Sequence, residues 1–328
     1  MNAQETALDA REQSIVAISS LTAAGDLEKL NPELNAALDN GLTINEIKEI
    51  LSQLYAYCGF PRSLNATSVF MSVVNERKAR GVNDAEGKPI VVENNVSDKY
   101  EQGRKVLEEL TKMPQPKPAP GFGTFIPRTD AFLKEHLFGD IFVSDVLSFR
   151  QRELATISAL AAMKGTEPQL KSHIGMGKNT GITDAQLSDV SDLIEKYINR
   201  TQANAMRKLL QKPEIPLLEN DTLVRISEIE VVPQYLDEYL AYAKKVAVAS
   251  VENETGVIAI FPMQQIENPN QIRILEIYKN KDAYKSHIAS EHFQHYKTST
   301  LHMVKDLKLV DMVVLNKENM TDIFEKLK

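Results

Sequence analysis

The chain has 328 residues, 43% of them apolar and 25% charged, which suits two or three soluble domains, each large enough for a core. Its formal charge of -7 argues against a nucleic-acid binder, which usually carries a basic face, and no basic stripe runs through the sequence. No apolar run is long enough to span a membrane, and Met1 to Ala10 lacks the basic and apolar regions of a signal peptide; a cytoplasmic protein is expected, although a leader already removed would leave no trace.

In chain order, the first unit reads as helix, cap, helix. Ile15, Ile18, Leu21 and Thr22 recur at helical spacing, Gly41 suits the left-handed position that ends a helix, and Thr43 with Glu46 forms a capping box. Ile47, Ile50, Leu51 and Leu54 then make one buried stripe. Met113 to Gly123 (MPQPKPAPGFG) cannot be helix and reads as an ordered arm or an extended linker. The helical device then returns with Gly181, Thr183 and Gln186, followed by the stripe Leu187, Val190, Ile194 and Tyr197.

A second break, Lys212 to Asn220 (KPEIPLLEN), precedes a change of period. Leu223 to Val232 and Val257 to Met263 are runs rich in β-branched residues, Arg273 to Tyr278 alternates, and Val310 to Leu315 closes the set. Helical stretches fall after Pro233, with Leu236, Leu240 and Ala243 on one face, and again from about Asp282 to Leu307. The order βαββαβ is that of a ferredoxin-like fold. The expected organisation is multidomain: an all-α duplicated helical domain (repeat 1–112, then arm and second repeat 113–218) followed by an α+β ferredoxin-like domain, 219–328.

The two helical units are copies about 140 positions apart. Gly41-Leu42-Thr43 aligns with Gly181-Ile182-Thr183, Leu30 with Leu170 and, after one gap, Ile18-Ser19-Ser20-Leu21 with Ile157-Ser158-Ala159-Leu160. That register sets Glu33 opposite His173 and Ser14 opposite Glu153. Two copies of a scaffold can both keep the core while one keeps the chemistry, and the second has the better acid/base pair.

Three segments of the helical part carry a resemblance: Ile44 to Ala66 (INEIKEILSQLYAYCGFPRSLNA), His136 to Phe142 (HLFGDIF), and Arg152 to Ala162 (RELATISALAA) followed by Leu170 to His173 (LKSH). Over roughly residues 10 to 210 it resembles, as two tandem copies, the carboxymuconolactone decarboxylase family, which includes alkyl hydroperoxide reductase D. The C-terminal part resembles the antibiotic biosynthesis monooxygenase family through ENETGVIAI (Glu252 to Ile260), LEIY (Leu275 to Tyr278) and DAYKSHIASEHF (Asp282 to Phe293).

The first resemblance implies catalysis by Glu153 and His173, because a histidine beside a carboxylate exchanges protons at neutral pH, as decarboxylation or isomerisation of an acidic lactone requires. The alternative is a helix contact for His173 and a surface charge for Glu153. Arg62, Tyr55, Tyr57 and Asn65 are candidate substrate-binding residues, with Arg62 able to clamp a carboxylate bidentately; the alternative is a structural role for that loop, bracing the helix end through Gly59 and Pro61. His136 is a further catalytic candidate or a packing residue. In the peroxidase branch of the family a CxxC pair precedes the histidine. Those positions are Thr166 and Gln169 here, and Asp26 and Lys29 in the first copy, so disulfide-based peroxide reduction is disfavoured. Cys58, the one cysteine, reads as a small apolar filler.

In the C-terminal part, His287, His292 and His295 are spaced i, i+5 and i+8, which does not put all three on one helical face; no metal site is expected from them. His287 matches the histidine that binds iron in the family's haem-degrading branch, but that branch also uses a tryptophan, and this chain has none. The quinol-oxidising branch needs no cofactor; His287, Glu276 and Tyr278 could bound such a pocket, or could be ordinary residues of a dimerising domain. The expected function is therefore a cofactor-independent enzyme acting by general acid/base chemistry on a small cyclic acid, lactone or quinone-like compound, with no nucleic-acid or membrane partner. The alternative is a catalytically degenerate binding or assembly protein. The family resemblances also imply a closed homotrimer or homohexamer, since a duplicated chain fills a six-unit ring with three copies and ferredoxin-like domains pair two by two.

Overall fold

The capping residues seen in the sequence mark helix ends in the computed structural model, which describes residues 7–216, 218 and 221–315. Thr43 and Thr183 accept from the backbone N–H of Glu46 and Gln186, whose side chains return to the threonine N–H groups. Gly41 and Gly181 take φ of 88° and 93°, a region that side-chain-bearing residues rarely enter. Residues 1–6 of the N-terminal stretch, and 217, 219 and 220 of the KPEIPLLEN break, lie outside the described residues. The chain divides into two compact units, Met1–Ile215 and Pro216–Lys328, three residues before the expected boundary at 218.

The first unit is helical. Helices α1 (Ala10–Ala24), α2 (Leu27–Asp39) and α3 (Ile44–Ala79) form the first copy, and α7 (Phe149–Ala161), α8 (Glu167–Asn179), α9 (Asp184–Tyr197) and α10 (Arg200–Leu209) form the second. Between them lie α4 (Lys99–Thr111), the short α5 (Phe122–Phe125) and α6 (Pro127–Ala131), and a π-helix, Phe132–Ile141. The copies do not keep separate cores. Ile15, Ile18 and Leu21 of α1 and Ile157 and Leu160 of α7 belong to one apolar cluster with Leu187, Val190 and Ile194 of α9. Pairing the copies buries a stripe that neither could bury alone, at about 1.5–3 kcal/mol per large aliphatic side chain. Helix α3 kinks at Gly59, where φ is 82° and ψ 157°, two residues before Pro61.

The proline-rich passage is an ordered arm up to Gly121, and its last two residues, Phe122 and Gly123, expected to be non-helical, open α5. Its Pro116 carbonyl accepts from Lys134 Nζ at 3.1 Å and its Gln115 carbonyl from Arg104 at 3.1 Å. Helix α4 packs so closely on the π-helix that a Cβ at Gly103 would stand 1.7 Å from the Lys134 carbonyl oxygen. Gly103→Ala is therefore expected to push the two helices apart and to destabilise the unit by about 1–3 kcal/mol. A lowered urea midpoint at unchanged slope is the expected reading, and an unchanged midpoint would rule out this contact in solution.

The second unit is a four-stranded antiparallel sheet in the order β2-β3-β1-β4, with β1 Leu223–Val231, β2 Val257–Gln264, β3 Gln271–Tyr278 and β4 Val304–Met312. With α11 (Leu236–Asn253) between β1 and β2, and α12 (Lys281–Ala289) and α13 (Glu291–Thr300) between β3 and β4, this is the ferredoxin-like topology. Two sequence expectations are corrected. The last strand starts six residues earlier than Val310, because β1 offers its second edge from Val224 to Val231 and a turn at Thr300–Met303 delivers the chain to it. The stretch from Asp282 is two helices, broken at Ser290, whose backbone is extended (φ -65°, ψ 148°) and whose hydroxyl caps α13. Among the described residues no helix is long and apolar enough to cross a membrane.

Candidate functional site

In the helical unit the second copy assembles a buried polar cluster. Glu153 sits on α7 and His173 on α8, and α8 approaches α7 closely because Gly177 faces Ile157, where a Cβ would come within 2.8 Å of the isoleucine Cδ1. His173 Nδ1 lies 2.8 Å from Glu153 Oε2, both side chains being buried. An ionised carboxylate can only accept, so it assigns the proton to Nδ1 and leaves Nε2 as the exchangeable nitrogen. The Tyr57 ring meets the imidazole edge-on, with centroids 5.4 Å apart. Glu153 Oε1 and the Tyr57 hydroxyl are buried without a protein partner, unusual for groups whose desolvation costs about 1–3 kcal/mol each. Burial, and then the charge of Glu153, pushes the Tyr57 phenol far above its ordinary range, so it stays a neutral donor.

Beside the pair stands a second polar layer. Arg152, fully buried, donates to Gln53 Oε1 at 2.9 Å, Glu49 Oε1 at 2.8 Å and the Ser144 carbonyl at 2.9 Å. Gln53 in turn donates to the Thr156 hydroxyl and the Arg152 carbonyl, both at 2.9 Å. Burial pulls the Arg152 guanidinium below its usual range although Glu49 opposes this. Glu49 and Gln53 lie one turn apart on α3, as Arg152 and Thr156 do on α7, so two helix faces meet through paired i, i+4 polar residues. The sequence holds that signal, but spacing alone does not say that the two faces are opposed.

In the ferredoxin-like unit, alternation along the strands puts Arg225 and Ser227 of β1 and Glu276 and Tyr278 of β3 on one sheet face, under α12 and α13. With His287 and Tyr296 they line a cavity of about 340 Å³, so Glu276, Tyr278 and His287 are brought together. Glu276 accepts from Tyr278 at 2.8 Å and, through its other oxygen, from Ser227. Burial and then Glu276 push the Tyr278 phenol well above its ordinary range. His287 Nδ1 lies 2.8 Å from Glu254 Oε1, and His292 Nε2 lies 2.6 Å from the same oxygen. Because the chain breaks at Ser290, His287 and His292 converge although no single helix would align them; His295 is apart, against Tyr242 at 5.9 Å.

Comparison with known proteins assigns both parts. The model of the carboxymuconolactone decarboxylase family matches residues 1–70 and 127–212, and that of antibiotic biosynthesis monooxygenase matches 222–299. The chain joins a carboxymuconolactone decarboxylase region to an antibiotic biosynthesis monooxygenase domain. A solved structure from Bacteroides thetaiotaomicron, named for antibiotic biosynthesis monooxygenases, is 44% identical over 29% of this chain and 91% of its own, with a TM-score of 0.29. One from Fusobacterium nucleatum, named as a monooxygenase, is 27% identical over 30% of this chain and 46% of its own (TM-score 0.29). A conserved Methanosarcina mazei protein is 22% identical over 28% of this chain and 90% of its own (TM-score 0.26). No curated protein matches the chain.

Within the decarboxylase region, the other expected site residues scatter. Arg62 donates to the Ala23 carbonyl at the end of α1, and Asn65 is exposed. Tyr55 stacks on Phe60 at 4.3 Å and meets His136 at 5.6 Å. His136 is half-exposed and pairs with Asp140 at 3.3 Å. These two form a group of their own, distinct in its contacts from His173 and Glu153. Thr166, at a position where the peroxidase branch has cysteine, donates to the Leu160 carbonyl at 2.7 Å. Cys58 donates to the Leu54 carbonyl, and burial pushes its thiol up, away from the reactive thiolate. In the first copy Ser14 accepts from Asn40 at 3.0 Å, and no histidine stands opposite it.

Proposed function

We propose that the helical unit is a cofactor-independent acid/base enzyme acting on a small cyclic acid or lactone, and that the monooxygenase domain takes an electron-rich phenol or quinol. The observation that carries the first half is the buried Glu153–His173 pair with its unpartnered Glu153 oxygen and Tyr57 hydroxyl. His173 Nε2 would take a proton from the substrate and return it elsewhere, or supply the proton that replaces departing carbon dioxide. Glu153 would hold the ring in orientation and stabilise the imidazolium between the two transfers. The Tyr57 hydroxyl, kept neutral, would donate to the oxygen where charge develops. In the monooxygenase domain, the cavity bearing Glu276, Tyr278 and His287 supports binding of a phenol whose anion reacts with dioxygen once a base has taken its proton.

The test is incubation of the full chain with a panel of unsaturated lactone acids, β-keto acids and quinols, following substrate loss and carbon dioxide release. Turnover of a lactone or keto acid without added thiol or peroxide, unchanged in Cys58→Ser, is the expected result. Dithiol-dependent peroxide reduction that disappears in Cys58→Ser would replace this reading with a peroxidase working through a single cysteine.

A further inference from the structure

We infer that Glu254, His287 and His292 form a binding site for a divalent transition-metal cation of the zinc class. The three donor atoms, Glu254 Oε1, His287 Nδ1 and His292 Nε2, lie within 4.8 Å of one another. They come from three separate segments: the residue that ends α11, the last turn of α12 and the first turn of α13. Two backbone features make them converge. Ser290 ends α12 and starts α13 in extended geometry, which turns His292 back toward His287. Gly256 lets the turn after α11 lie against α12, since a Cβ there would stand 2.6 Å from Ala283 Cβ; this close approach carries Glu254 to the histidines.

The donor chemistry selects the cation. Two imidazoles and one carboxylate suit zinc and its first-row neighbours, whereas magnesium and calcium require mostly oxygen ligands. Four-coordinate ligands about 2.0–2.1 Å from a zinc ion stand about 3.3 Å apart. The present separations of 2.6 and 2.8 Å from Glu254 Oε1 to the two ring nitrogens would therefore open by roughly half an ångström when a cation is bound. In the cation-free arrangement each ring nitrogen donates a proton to one carboxylate oxygen. A cation takes the place of those two protons, and the protons move to the opposite nitrogens of the rings. His287 is held for this by aromatic packing, with Phe293 at 4.6 Å and Tyr278 at 5.2 Å between ring centroids.

The site also bears on the neighbouring cavity, which His287 lines. With Nδ1 bound to a cation, the remaining ring nitrogen carries the proton and can only donate, so an occupied site would make His287 a hydrogen-bond donor rather than a base. The inference is independent of the acid/base reading of Glu153 and His173.

Isothermal titration of the full chain, stripped with chelator, tests it, with zinc and cobalt as probes and magnesium as control. One equivalent of zinc should bind, cobalt should give the visible absorption of a low-coordinate site, and magnesium should not compete. His292→Ala and Glu254→Gln should each weaken zinc at least about tenfold, since loss of a ligand costs no less than loss of an outer-shell partner. His295→Ala, outside the cluster, should leave it unchanged. Far-ultraviolet circular dichroism of each variant separates loss of a ligand from loss of the fold. Absence of stoichiometric zinc binding, or binding equally strong in folded His292→Ala and Glu254→Gln, would overturn the site.

Discussion

Replacing His173 with glutamine is expected to slow turnover of the helical unit's substrate by about 10²–10⁴-fold, the usual contribution of a positioned acid/base group. Glutamine is the informative choice because its amide can still donate to Glu153, so the buried carboxylate keeps a partner and the fold should survive. Glu153→Gln should show a similar loss for a different reason: the amide can present its own N–H to Nδ1, which favours the imidazole tautomer with the proton on Nε2. The double substitution should be little worse than either single one, since groups acting as one unit lose their effect together. Initial rates on the substrate found in the panel, with circular dichroism of each variant, give the measurement. Undiminished turnover in folded His173→Gln would remove the pair from the chemistry.

Lys134→Met should cost the helical unit about 3–5 kcal/mol, the penalty for stranding one member of a buried ion pair. Lys134 and Asp130 are 1% and 2% exposed and 2.8 Å apart, and Lys134 also donates to the Tyr100 hydroxyl at 2.9 Å. Burial by itself would push the Asp130 carboxyl up, but hydrogen bonds from Lys134 and Tyr100 outweigh it and hold the carboxyl below its usual range. A depressed carboxyl contributes stability above its unfolded value, near 3.9, and that contribution is lost as the pH falls through the folded value. The wild type should thus lose stability in acid below about pH 4, while Lys134→Met should have lost it already at neutral pH. Urea unfolding followed by circular dichroism at both pH values decides this. A variant as stable as wild type at pH 7 would show that the arm and π-helix do not depend on the pair. Asp130→Asn in the Lys134→Met background should recover part of the loss, because it removes the stranded charge.

Much of the architecture was legible from local signals. The capping boxes at Thr43 and Thr183 and the left-handed Gly41 and Gly181 are set by backbone hydrogen bonding and side-chain sterics within a few residues, and the internal repeat shows in their recurrence. The order of strands and helices after Pro216 follows from a change of hydrophobic period. The candidate pair Glu153 and His173 was legible because a repeat exposes its own mismatches, and two helices joined by a short turn have little freedom in how they pack.

Other features were decided only in three dimensions. Nothing local shows that α1 and α7 share one core, that Arg62 reaches back to the end of α1, or that Arg152 meets Glu49 and Gln53 about 100 positions earlier. The start of β4 at Val304 depends on an open edge of β1 more than 70 residues upstream, and the turn at Ser290 turns a mismatched histidine spacing into a convergent one. The physical reason is the same in each case. Propensity, capping and period act over one or two helical turns, so composition and spacing determine which elements form. Which polar groups end up buried together depends on how closely the backbones can approach, as at Gly177 and Gly256, and that is settled only when the elements pack.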